Sequence, residues 1–191
     1  GNELLAAGDD KVVRIWNVTE DALAQTNRRI LRWPIYREQR GGIFALDLSP
    51  NDGGKRVAVG GFGLITGMIA ILDRQTGQIL HLLDKPKSGQ VTWAITWSPD
   101  GKYTVHGTAQ NELYRWEPKA GNKSLKEFAG TIKQPNRVRL IAFLDSRHFL
   151  SVAEDGLIWK RDVLKPEEAP SSFLGSFRRN NIYNVVISPD K

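Results

Sequence analysis

The chain has 191 residues, with 27 Lys and Arg against 21 Asp and Glu, for a formal net charge of +6. It has no cysteine, which excludes a disulfide framework and a thiolate metal site and makes a reducing, cytoplasmic setting the default expectation. No apolar run approaches the ~18 residues of a membrane-spanning helix, and the first residues read as a strand rather than as a leader.

In chain order, short apolar runs separated by turn residues predict strands throughout. Leu4–Gly8 and Val12–Val18 flank an Asp9-Asp10 turn, and Ile30–Trp33 follows. The next unit is Ile43–Leu48, Val57–Gly61, Met68–Asp73 and Gln78–Leu83, with a longer connection through Phe62-Gly63-Leu64-Ile65-Thr66-Gly67. Val91–Trp97, Thr104–Thr108, Leu113–Glu117 and Leu125–Phe128 make a third. Val138–Leu144, Phe149–Ala153, Leu157–Val163 and Phe173–Phe177 make a fourth, and Ile182–Ile187 stands last. The runs are rich in Val, Ile, Leu and aromatics, and none has a helical period, so the fold is expected to be all-β.

The units repeat. Trp97-Ser98-Pro99-Asp100-Gly101-Lys102 has a near copy at Leu48-Ser49-Pro50-Asn51-Asp52-Gly53-Gly54-Lys55, a worn one at Phe143-Leu144-Asp145-Ser146-Arg147, and a last one at Ile187-Ser188-Pro189-Asp190-Lys191. Counted on Ser49, Ser98, Leu144 and Ser188, the steps are 49, 46 and 44 residues. Short strands repeating at roughly 40–45 residues are the signature of a β-propeller array, in which each unit buries its apolar faces only against its neighbours.

These residues resemble the WD40-repeat family of β-propellers. The Trp-Asp pair that ends the family's third strand has altered counterparts in Trp16-Asn17, Leu72-Asp73, Trp116-Glu117 and Arg161-Asp162. Asp10, Thr66, Gln110 and Asp155 stand where the family has its Asp-Gly turn, and the Ser-Pro-Asp-Gly turn agrees as well. The family's Gly-His pair is absent, with Gln39, Lys87, Lys133 and Phe177 at the histidine position, so stability is expected to rest on apolar packing between blades. The resemblance implies four-stranded antiparallel blades at about 1–40 (lacking its first strand), 41–88, 89–135 and 136–180, with the first strand of a further blade at 181–191. Such an array is expected to need further blades or a second copy to close, unless Ile182–Ile187 completes the first blade.

Few residues suggest chemistry. His81, His106 and His148 are scattered, and His106 aligns with apolar strand positions, so a packed, hydrogen-bonded core histidine is expected there. Asp9, Asp10, Glu154 and Asp155 fall in tight turns, where carboxylates accept backbone hydrogen bonds. Gly60-Gly61-Phe62-Gly63 is flanked by strands, which favours a wide hairpin with glycines at positive φ over a phosphate loop. Trp16, Trp93, Trp97, Trp116 and Trp159 are expected in the core between sheets.

Positive charge recurs in the connections from each fourth strand to the next first strand: Arg37 and Arg40, Lys85 and Lys87, Lys133 and Arg137, Arg178 and Arg179. In the resembled family these connections share one face, so the resemblance implies a basic ring that attracts an acidic protein surface. Trp33 and Tyr36, in the first of them, are candidate anchors. Base-specific recognition is not expected, because no stacking aromatics are interleaved with these charges. The chain thus reads as a non-catalytic protein–protein interaction scaffold without cofactor or metal. The alternatives are a nucleic-acid or other polyanion-binding propeller, or a regulatory segment of a larger enzyme such as a protease or kinase. A carboxylate-based enzyme at the channel mouth is a weaker rival, which requires a deep pocket with two titratable groups of shifted pKa.

Overall fold

A computed structural model of the chain describes residues 2–18, 23–32, 40–63, 69–83, 91–130, 137–170, 172–176 and 188. Among them the fold is all-β, and its only helical pieces are two single 3-10 turns, Pro118–Ala120 and Asn122–Ser124. Fifteen strands form four antiparallel meander sheets, each running through consecutive strands. The first holds β1 (Glu3–Ala7), β2 (Val12–Val18) and β3 (Leu23–Arg32). The second holds β4 (Gly41–Leu48), β5 (Arg56–Gly63), β6 (Ile69–Asp73) and β7 (Ile79–Leu83). The third holds β8 (Thr92–Trp97), β9 (Thr104–Thr108), β10 (Leu113–Trp116) and β11 (Lys126–Glu127). The fourth holds β12 (Val138–Phe143), β13 (His148–Ala153), β14 (Leu157–Asp162) and β15 (Ser172–Ser176).

The repeated serine turn has a physical reason. The Ser98 hydroxyl accepts the Tyr103 N–H at 2.9 Å and donates to Asp100 Oδ1 at 2.5 Å, while Asp100 also accepts the Lys102 N–H at 3.0 Å. Ser49 does the same work with the Arg56 N–H at 3.0 Å and with Asp52. In the third copy Leu144 stands at the serine position and the next residue, Asp145, does the bonding, accepting the N–H groups of Arg147 and His148 at 2.7 and 2.6 Å. Each turn thereby satisfies backbone donors left over where two strands part.

Sheets meet face to face through three apolar layers. Val13, Ile15 and Leu31 of the first sheet pack on Ile43, Val57, Val59, Ala70 and Leu72 of the second. The opposite face of the second sheet, with Ala58, Ile69, Ile71 and Leu83, covers Ile95, Trp97 and Trp116 of the third. The third in turn meets the fourth through Tyr103, Val105, Leu113 and Phe128 against Val138, Ile141 and Phe149. Alternate residues of one strand therefore serve two different layers, as Val57 and Ala58 show.

First strands pack side by side, β4 on β8 and β8 on β12. Asp47 of β4 ties the first pair: its carboxylate accepts the Trp97 N–H at 2.8 Å and the Thr96 hydroxyl at 3.0 Å, besides the Leu48 N–H at 2.9 Å. Burial nevertheless raises its pKa, because desolvation outweighs the three donors.

The expected strands are present with shifted bounds. β3 begins at Leu23 rather than near Ile30, and β5 continues through Gly63 where a turn was expected after Gly61. The last expected strand, Ile182–Ile187, lies outside the described residues.

Candidate interaction surface

Three of the four sheets carry a β-bulge at the same place in their first strands. Ile43 pairs with Gly61 and Ala45 with Gly60, which leaves Phe44 as the extra residue of β4. Thr92 pairs with Thr108 and Ala94 with Gly107, leaving Trp93. Val138 pairs with Ala153 and Leu140 with Val152, leaving Arg139. Each bulged residue stands five positions before the turn residue of its repeat, Ser49, Ser98 or Leu144. Tyr183 has the same offset from Ser188 and lies outside the described residues. A bulge turns its extra side chain out of the alternation that would commit it to one face of the sheet.

The glycines opposite the bulges answer to space and not to turn geometry. A Cβ on Gly61 would fall on the Gly42 carbonyl oxygen, and one on Gly60 would stand 2.6 Å from Thr92 Cγ2. Neither has a positive φ, so the left-handed glycines expected here are corrected to a close approach of strands, whereas β5 and β6 do pair antiparallel across the expected long connection.

The bulged side chains stack across the sheets. The Phe44 and Trp93 rings lie 4.6 Å apart at 7°. The Arg137 guanidinium sits 4.3 Å from the Trp93 ring centroid and that of Arg139 5.7 Å. Glu154, in the turn between β13 and β14, accepts from Arg139 at 2.6 Å. The hydrogen bond from Arg139, with the charges of Arg139 and Arg137, holds the Glu154 carboxyl below its ordinary pKa. Phe44 is 37% exposed and Arg137 is exposed, so solvent reaches the ladder. Planar groups in such contact attract through ring quadrupole and cation, at about 0.5–1 kcal/mol for an exposed pair.

This ladder corrects two sequence expectations. Trp93 does not belong to the core between sheets as Trp97 and Trp116 do; it forms the middle rung. An aromatic ring does, moreover, meet one of those basic residues, because packing of the first strands brings Trp93, with Phe44 stacked on it, to Arg137 as well as Arg139. The sequence held one signal for it: glycines inside a strand, at Gly60, Gly61 and Gly107, mark bulges more often than turns.

Of the ten residues expected to contact a partner, Arg40 and Arg137 are described. Arg40 is exposed directly ahead of β4, and Arg137 leads into β12, with its carbonyl accepting the Glu154 N–H at 2.8 Å. Trp33, Tyr36, Arg37, Lys85, Lys87, Lys133, Arg178 and Arg179 lie outside the described residues. The turns between second and third strands come to the same end of their sheets and bring acid as well: Asp9, Asp10, Glu154 and Asp155.

The remaining polar groups are built into the fold. His106 is buried, stacks on Tyr114 at 5.4 Å, and is held neutral by burial, its pKa lowered to about 3. Packing there is as expected, but Nδ1 has no hydrogen-bond partner among the described residues. His148 bonds Asp145 at 2.9 Å within its turn. A cleft of about 600 Å³ is lined by Asn2, Glu3, Leu5, Asn17, Val18, Leu48 and Arg74, and holds the ion pairs of Glu3 with Arg29 and Arg74. Among the described residues no second carboxylate and no histidine line it. Among the described residues no three acidic or histidine side chains are grouped to hold a metal ion. The chain matches no protein-family model and no curated protein.

Proposed function

We propose that the chain is a run of WD-repeat-type propeller blades that serves as a non-catalytic scaffold for an acidic protein partner. The observation that carries this is the serial stacking of four meander sheets through three apolar layers, with their first strands packed together. Stacking of this kind holds the ends of many strands in fixed relation, so little freedom is lost when a partner docks on them. The aromatic–arginine ladder is built on those first strands, and Arg137 of the basic connections is part of it. Net charge of +6 adds long-range attraction for acid.

A defined acidic probe tests the reading. A fluorescein-labelled glutamate-rich peptide is titrated by anisotropy at low and at physiological salt. The reading expects binding that weakens with salt and falls at least about tenfold when Arg40, Lys87 and Arg137 are together changed to Glu. Binding that ignores the charge reversal overturns it.

A further inference from the structure

The ladder is finished at one end and open at the other. At the finished end the Trp93 ring carries the guanidiniums of Arg137 and Arg139, and the turn carboxylate Glu154 holds Arg139 in place. At the other end Phe44 has Trp93 stacked on it, and 37% of its surface is exposed. Asp9 occupies in the first sheet the turn position that Glu154 occupies in the fourth, one residue before Asp10 as Glu154 precedes Asp155. Its exposed carboxylate makes no ion pair or side-chain hydrogen bond among the described residues. Gly42 brings the two groups together: a methyl group on its Cα would stand 2.8 Å from Asp9 Oδ1 and 3.1 Å from the Phe44 ring.

We infer that this open end is a seat for a guanidinium, in which an arginine of the partner lies on the Phe44 ring and pairs with Asp9. The seat then repeats the arrangement of ring, guanidinium and carboxylate already complete at Trp93. Arginine fits better than lysine because its delocalised planar cation can stack and hydrogen-bond at once, and is less strongly hydrated than an ammonium. Arg40 and Arg137 are exposed in the same region and favour acidic residues on either side of that arginine. The ligand is therefore an arginine embedded in an acidic segment; the acidic flanks rest on the function proposed above, whereas the seat itself does not.

The test uses the whole chain and four labelled peptides, Gly-Asp-Glu-X-Glu-Asp-Gly, with Arg, Lys, citrulline or Leu at X. The Arg peptide should bind about fivefold more tightly than the other three. Asp9→Asn and Phe44→Ala should each reduce the Arg peptide to the level of the Leu peptide and leave the Leu peptide unchanged. Phe44→Tyr, which keeps the ring, should keep the preference, and an unaltered melting curve shows that the variants fold. Equal, salt-sensitive binding of all four peptides overturns the seat and leaves the acidic-partner reading standing. A preference for Arg that persists when Ser replaces the flanking acids, with no gain from those acids, keeps the seat and overturns the acidic partner. Displacement of the peptides by an equimolar single-stranded oligothymidylate, lost in Phe44→Ala, overturns the arginine assignment in favour of a stacked base.

Discussion

Asp47→Ala removes the carboxylate that joins β4 to β8, and the structure allows its effect to be worked out. The Trp97 N–H loses its acceptor, whereas the Thr96 hydroxyl has the Trp97 carbonyl at 3.5 Å to turn towards. An amide donor left unsatisfied costs about 1–3 kcal/mol, and relief of the desolvated charge offsets part of that. We expect a net loss of about 1–2 kcal/mol at pH 7, read from urea unfolding. The pH dependence is the sharper check. Burial raises the native pKa above the unfolded value, so the native state binds the proton more tightly, and Asp47 contributes less stability as pH rises through that window. The deficit of Asp47→Ala should accordingly be larger at about pH 4 than at pH 7. A variant as stable as the wild type, or a deficit that grows with pH, would refute the view of Asp47 as a neutralisable tie between sheets.

Three further outcomes follow from the interior. His106 is kept neutral by burial, with its pKa lowered to about 3 from 6.5, so the stability it allows is complete above pH 6.5 and is lost as pH falls towards 3. His106→Phe should flatten that acid limb, measured as the difference between melting temperatures at neutral and mildly acid pH. Trp116 is fully buried between the second and third sheets, and Trp116→Ala should cost about 3–5 kcal/mol in denaturant unfolding. Gly61→Ala would drive a methyl group into the Gly42 carbonyl, so it should lower the melting temperature and loosen the Phe44 rung, seen as accelerated amide exchange in β4 and β5.

The repeat was legible because its turns use side-chain chemistry that shows in the residues themselves. Ser49 and Ser98 sit where their hydroxyls must accept a backbone N–H, and the strands between them are short apolar runs bounded by turn residues, buried on both faces in β5 and β6. Asp145 shows the limit: it accepts the turn's N–H groups from one position beyond the serine's, so its copy looked worn although backbone donors are still satisfied by a side chain. The ladder was not legible for a related reason. Phe44 and Trp93 read as ordinary strand residues in an apolar run, and only the change of register makes them extra. A register shift depends on the partner strand, here on Gly60, Gly61 and Gly107 opposite, and the first two were read for backbone freedom when close approach required them. The early part of β3 was not expected for want of any apolar signal in Ala24-Gln25-Thr26-Asn27-Arg28-Arg29; Leu23 and Ala24 pair with Val18 and Asn17 beyond a register shift in β2.

The shared bulge separates where a side chain goes from what the side chain is. Backbone pairing fixes the exit point, and the three sheets fill it with phenylalanine, tryptophan and arginine without altering their registers elsewhere in the first strand. Exchange of one residue per repeat can therefore rewrite the chemistry presented along that line while the apolar layers behind it stay as they are. A chain built this way can change its partner by single substitutions, each tried on an unchanged frame.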